Sequence, residues 1–224
     1  MFELVLGPSP RDLRTLLCLG AHCDDIEIGC GGTVLQLAEH YPELRVHWVV
    51  LSSSPERAAE ARRSAERFLQ RVRNPEVVIK EFRNSFFPFV GAQIKEFFED
   101  LKRQVTPDLV LTHTRHDLHQ DHRLTCELTR NTFRDNLILE YEIPKYDGDL
   151  GAPNTFVPLS PEHYNGKIET LLECFPSQRD KHWFTRETFL ALMRLRGMES
   201  NAASGYAEAF YSHKAVLAPA RAAD

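Results

Sequence analysis

Short apolar runs and amphipathic stretches alternate along the chain. Thr15–His22 (TLLCLGAH) is an almost unbroken apolar run, the pattern of a strand covered on both faces. Thr33–Tyr41 has apolar residues at Val34, Leu35, Leu37 and Ala38, a helical period. Arg45–Ser52 is β-branched and aromatic and reads as a second strand. A charged helix runs from Pro55 to about Val72, with proline in its first turn, where the missing N–H costs nothing. The alternation continues with a strand at Glu76–Phe82, a helix at Gly91–Gln104, a strand at Asp108–His113, a helix at Asp121–Arg134 and a strand at Leu137–Ile143. Beyond Ile143 it loosens: a Pro/Gly/Asp-rich loop (Pro144–Asn154), two helical segments near Pro161–Cys174 and Thr185–Arg196, then a last strand at Ala207–Leu217.

This order predicts an α/β fold, a three-layer Rossmann-like arrangement of a mostly parallel sheet with helices on both faces. Ligands bind such sheets beyond the carboxyl ends of the strands. Strands one and four can be neighbours at the switch point, so the loops after them would face each other. With 224 residues the chain suits one domain spanning 1–224. A net charge of -5 gives no reason to expect nucleic acid, and the arginines after Pro55 alternate with glutamates as on a solvated helix face. The five cysteines form no Cys-x-x-Cys pair, which fits a reducing cytoplasm. No run reaches the roughly 20 apolar residues of a membrane span. The N-terminal stretch is a poor signal peptide, and the tail after Leu217 reads as frayed.

The chemistry gathers at two strand ends. After the first strand comes HCDDIEIGCGG (His22–Gly32), with two acids beside a histidine. After the fourth comes HTRHDLHQDH, which carries His113, His116, His119 and His122 with Asp117 and Asp121 among them. Clustered imidazoles and carboxylates are costly to bury unless paired or bound to a metal. Two nitrogens, one carboxylate and an open position for water make a common catalytic zinc set, and a second carboxylate can then serve as base. Each piece alone has a plainer explanation: Asp-Asp as a turn, Asp121 as a helix N-cap, a histidine-rich loop as surface. The glycines suggest a rival, a phosphate cradle at a helix N-terminus. Their spacing does not give Gly-x-Gly-x-x-Gly, and a plainer role is close packing of the helix through Gly31 and Gly32.

AHCDDIEIGCGG resembles the Ala-His-Pro-Asp-Asp-x-Glu-x-x-x-Gly-Gly signature of the LmbE-like, or PIG-L, family of zinc-dependent N-deacetylases. HDLHQDHR is similar to its second signature, His-Pro-Asp-His-Arg after an Asn/Asp pair. PERAAEARRSAERFL resembles the family's Arg-x-x-Glu helix, and FPSQ and YAEAF its C-terminal pieces, so the likeness runs from about Leu16 to Phe210. The resemblance implies His22, Asp25 and His122 as ligands of Zn2+, with Fe2+ or Co2+ as other options. It implies Asp24 as general base and His119 as partner of the oxyanion, cationic or donating a proton to the amine. Asp121 would orient a histidine, and Arg57 would contact hydroxyls or a phosphate of the substrate. The implied reaction removes the N-acetyl group of a small amino-sugar substrate, releasing acetate and a free amine.

Both signature prolines are replaced, by Cys23 and Gln120. Neither proline is a ligand, so the change bears on loop rigidity; Cys23 is expected as a small packed residue. His113 is expected either beside a ligating group or at the surface, and His116 as a loop residue. Tyr146 and Asp147 suit sugar hydroxyls or a solvated loop equally. Phe82, Phe86, Phe87 and Phe89 are expected in the core, with an apolar rim for an acyl or lipid-linked group as the sharper alternative. Arg196, Glu199 and Glu208 are candidates for the pocket wall. Oligomeric state is open, a homo-oligomer included. Two other functions stay in view: a methyltransferase-like transferase using the glycine turn, and a non-catalytic sugar-binding module.

Overall fold

The computed structural model describes residues 13–216, together with Glu3, Leu4 and Leu6. Seven strands form one sheet in the order β3-β2-β1-β4-β5-β7-β6. β1 (Thr15–Gly20), β2 (Arg45–Val50), β3 (Glu76–Ile79), β4 (Leu109–His113) and β5 (Leu137–Tyr141) are all parallel. β7 (Ala207–Ser212) runs antiparallel to β5, and β6 (Thr155–Pro158) antiparallel to β7. β6 falls just past the loop and is too short and half-buried to stand out in the sequence. Leu217 and the tail lie outside the described residues.

Two apolar clusters flank the sheet. One gathers α1 (Asp25–His40), α2 (Pro55–Phe68), α5 (Pro161–Cys174) and α6 (Arg186–Glu199) around Trp48, Tyr141 and Phe210. The other sets α3 (Gly91–Gln104) and α4 (Gln120–Thr132) against Leu17, Leu19 and Val110. Among the described residues no helix is long and apolar enough to cross a membrane. β1 pairs directly with β4, as the switch-point argument requires. The loops after Gly20 and His113 therefore meet over one end of the sheet.

The first helix departs from expectation. It begins at Asp25, not near Thr33, so Gly29, Gly31 and Gly32 lie inside it. An interior glycine costs a helix roughly 1 kcal/mol relative to alanine, and close packing outweighs that here. A Cβ at Gly29 would lie 2.1 Å from the Tyr141 ring, one at Gly31 2.7 Å from Phe68, and one at Gly32 2.5 Å from Leu159. The glycines seat the helix on its neighbours. From β7, Glu208 accepts hydrogen bonds from the Gly32 and Thr33 amides (2.9 and 2.7 Å) and pairs with Lys167 at 2.6 Å. Lys167 in turn donates to the Ile28 carbonyl at 2.7 Å, so this buried ion pair straddles the Ile28–Gly32 rung of α1.

Candidate metal centre

Asp25 opens α1 with its carboxylate turned back, where Oδ2 accepts the His22 amide hydrogen at 2.6 Å. His122 sits on the first turn of α4 and His22 on the loop after β1. Their donor atoms converge. His22 Nδ1 is 3.1 Å from His122 Nε2 and 3.3 Å from Asp25 Oδ2, and His122 Nε2 is 3.5 Å from the same oxygen. Tetrahedral coordination with bonds of about 2.0–2.1 Å places ligand atoms about 3.3–3.4 Å apart. The triangle therefore has the edges of one face of such a tetrahedron.

Carboxylates behind the two histidines fix which nitrogen faces inward. Asp117 Oδ2 lies 2.8 Å from His122 Nδ1, so that nitrogen carries the hydrogen and Nε2 keeps its lone pair. Asp121 Oδ2 lies 3.3 Å from His22 Nε2 and leaves Nδ1 for the centre. Burial and the neighbouring His113 push His122 down to about 3, so it is neutral. Burial would lower His22 too, but Asp25 and Asp121 outweigh it and raise it to about 10.

Asp121 is not the N-cap of α4; that position belongs to His119. Its carboxylate instead accepts the amides of Ser85 (2.6 Å) and Phe87 (3.1 Å), holding the loop before α3 over the site. Gln120, where the family has proline, donates from its side chain to the Ser85 carbonyl and ties down the same loop. Ser85 adopts φ 63°, a left-handed conformation that costs a non-glycine residue energy and is held by these contacts.

His113 is fully buried, stacked on His122 at 3.9 Å and 3.1 Å from Asp25 Oδ2. Two further donor sets overlap this triangle, each with atoms within 4.8 Å of one another: His22–His119–His122 and Asp25–His113–His122. In the second, His113 Nε2 already accepts the Ala21 amide hydrogen at 3.0 Å, so its lone pair is engaged by the backbone and not free for a cation. In the first, His119 Nδ1 accepts the Asp121 amide hydrogen at 3.2 Å, leaving Nε2 as the N–H donor of the neutral ring. Burial and the positive His22 lower its pKa, so a cationic His119 is disfavoured and hydrogen-bond donation is the role its surroundings allow.

Asp24 points the other way from Asp25. It caps nothing, and its Oδ1 accepts from Arg57 Nη2 at 2.7 Å. Arg57 borders the cleft, but its guanidinium is engaged with this acid rather than standing free for a substrate. The cleft holds about 220 Å3 and is bordered by His22, Asp24, His119, Tyr146, Asp147 and Trp183 among others. Tyr146 is 72% exposed, at the rim. His116 is a loop residue whose ring neighbour is Tyr211. Cys23 is buried and donates to the Ser52 carbonyl at 3.5 Å; burial pushes its thiol up to about 12, which suits packing and not ligation. The phenylalanines divide: Phe87 is core, Phe89 is 77% exposed.

Three positions proposed for the pocket wall lie elsewhere. Arg196 pairs with Glu142 and Glu199, and Glu208 serves α1. The residue least visible in the sequence is Asp117. Besides His122, it accepts the His119 amide at 2.7 Å and pairs with Lys145 at 3.0 Å, and burial is outweighed by these partners so that its pKa falls well below the carboxylate range. The signal is its place in the histidine-rich loop, five residues before His122.

The fold is shared with several solved structures. GalB, the 4-carboxy-2-hydroxymuconate hydratase from Pseudomonas putida KT2440, superposes with a TM-score of 0.74 at 19% identity, covering 94% of this chain and 100% of that one. The N,N'-diacetylchitobiose deacetylase from Pyrococcus horikoshii gives 0.66 at 20% identity, covering 90% and 84%. The zinc-inhibited form of teicoplanin deacetylase Orf2 gives 0.70 at 13% identity, covering 88% and 97%. No curated protein matches the sequence significantly. The family model described as PIG-L, GlcNAc-PI de-N-acetylase, matches residues 17–133, more than half of the chain and the segment that carries His22, Asp24, Asp25, His119 and His122. The chain belongs to the PIG-L family.

Proposed function

We propose that the chain is a metal-dependent N-deacetylase, hydrolysing the N-acetyl group of an amino sugar to acetate and a free amine. The observation that carries this is the triangle of His22 Nδ1, Asp25 Oδ2 and His122 Nε2, whose edges suit one tetrahedral cation. Membership of the PIG-L family and the deacetylases among its structural neighbours supply the reaction class.

A divalent cation held there would acidify a water and polarise the amide carbonyl. Asp24, on the cleft wall and kept in place by Arg57, takes the proton of the attacking water. His119 donates from Nε2 to the oxygen on which charge develops. Asp117 and Asp121 keep the two ligating imidazoles in the required tautomers. Zn2+ fits two nitrogens and a carboxylate, and Fe2+ and Co2+ accept the same donors. Five buried free cysteines agree with a reducing cytoplasm. A nucleotide cradle at the α1 N-terminus is disfavoured, because an acid occupies it and the glycines are packed against side chains.

The test is metal analysis of purified protein, followed by assays for acetate and amine on a panel of N-acetyl sugars before and after chelation. Acetate release that a chelator abolishes and metal restores is the expected result. Full activity in metal-free protein would overturn the proposal. Acetate release also separates amide hydrolysis from the hydratase activity that GalB is named for.

A further inference from the structure

Behind the donor triangle lies a network of ion pairs that ends on the cleft wall. Asp117 Oδ2 meets the His122 ring at 2.8 Å. Its Oδ1 accepts the His119 amide at 2.7 Å and the Lys145 ammonium at 3.0 Å. Lys145 also pairs with Asp149 at 2.5 Å and donates to the Ile143 carbonyl at 3.5 Å. Asp149 Oδ2 in turn accepts the Leu118 amide at 2.7 Å. The side chains of Lys145, Asp117 and Asp149 are 9, 1 and 5% exposed, so water does little to screen them.

One ammonium therefore serves two buried carboxylates. Buried carboxylates keep their charge only with such partners. Without Lys145, two like charges would face each other and the more mobile one, Asp149, would be driven toward solvent. Lys145 and Asp149 stand four residues apart and close a clasp around Tyr146, Asp147 and Gly148. Tyr146, Asp147 and Lys145 itself border the cleft. The clasp is fastened to Asp117 and Leu118, in the loop between β4 and α4 that leads into His119 and His122. A single cation thus joins the cleft wall to the acid that sets the His122 tautomer.

Resting on the metal centre proposed above, we infer that Lys145 is a positioning residue for it, holding Asp117 in place so that His122 keeps Nε2 turned toward the cation. Lys145 touches neither the cation nor the reacting atoms in this role. It acts through Asp117, and its second partner, Asp149, fixes the clasp from which it reaches.

The test reads Zn2+ binding, not turnover. Affinity is measured by competition against a chromophoric chelator, in the wild type and in variants that a thermal scan shows to be folded. Lys145→Met should weaken Zn2+ binding by about tenfold, the lower end of the effect of losing an outer contact. Lys145→Arg keeps the charge and should lose less than about threefold. Asp117→Asn removes the acceptor through which Lys145 acts, so adding Lys145→Met to it should weaken binding no further. A merely structural role would add its own loss to that of Asp117→Asn. If Lys145→Met does not fold, Lys145→Gln, which keeps an amide donor near Asp117 without the charge, is read in its place. Unaltered affinity in the Lys145 variant, or losses that add, overturns the inference. The deacetylase proposal fails separately, by the absence of acetate release, and leaves these affinities readable. If the protein binds no Zn2+, imidazole NMR of the metal-free chain decides. A His122 Nδ1–H signal protected from exchange in the wild type and lost in the Lys145 variant sustains the role. A signal unchanged by the substitution, or absent from the wild type, overturns it.

Discussion

His22 Nδ1 and His122 Nε2 face each other at 3.1 Å, two imidazole nitrogens aimed into one space. Without a cation between them a proton belongs there. His22 holds it: burial opposes the charge, but Asp25 and Asp121 outweigh burial and raise the pKa to about 10. His122 is neutral and accepts.

A metal must displace that proton. Between pH 6 and 8, below the raised pKa, metal binding is expected to release about one proton and to strengthen by about tenfold per pH unit. Calorimetry in buffers of different ionisation enthalpy measures the release. A binding constant that stays flat with pH would contradict the shared-proton picture.

Asp117→Asn removes the acceptor that fixes the His122 tautomer and leaves Lys145 with less compensation. Metal affinity should fall about 10–100-fold. Competition against a chromophoric chelator reads the change, and an unaltered affinity would mean that the contact does not orient the ligand.

The adjacent acids should separate cleanly. Asp24→Asn keeps a side chain that Arg57 can still meet, so metal content should hold while kcat drops about 10²–10⁴-fold. Asp25→Ala, like His22→Ala and His122→Ala, should lose the metal itself. Full activity in metal-replete Asp24→Asn would remove Asp24 from the role of base.

Gly29→Ala tests the seating of α1. The added methyl would lie 2.1 Å from the Tyr141 ring, which is fully buried and donates from its hydroxyl to the Leu19 carbonyl at 2.7 Å. Overpacking of this kind costs about 1–3 kcal/mol, and each kcal/mol lowers Tm by roughly 2–4 °C for a chain this long. Gly148→Ala, with nothing within 4 Å of its Cβ, should leave Tm unchanged in the same thermal scan.

Much of this was legible because the signals were local. The strands β1, β2 and β4 announced themselves by apolar runs, and the two loops that meet over the sheet carry their acids and histidines in plain view. Other features depended on tertiary partners. The apolar period of α1 starts only at Thr33, and the side chains of Tyr141, Phe68 and Leu159 explain the three glycines that precede it inside the helix. Asp121 has the place of an N-cap in sequence, yet its carboxylate is taken by the Ser85–Phe87 loop and His22. Two short motifs turned out to be each other's partners: Glu60 of the Arg-x-x-Glu helix binds Ser177 of FPSQ. No periodicity reveals a pairing across more than a hundred residues.

Every donor of the proposed metal centre lies between residues 22 and 122, yet the helix that aims Asp25 is gripped by Glu208, near the far end of the chain. A fragment ending after α4 would keep all the donors and lose that grip. The site is therefore not a portable module: the order in which it is assembled must include the last strand, and a change at residue 208 or 167 has a route to the donor triangle that passes through none of its three residues.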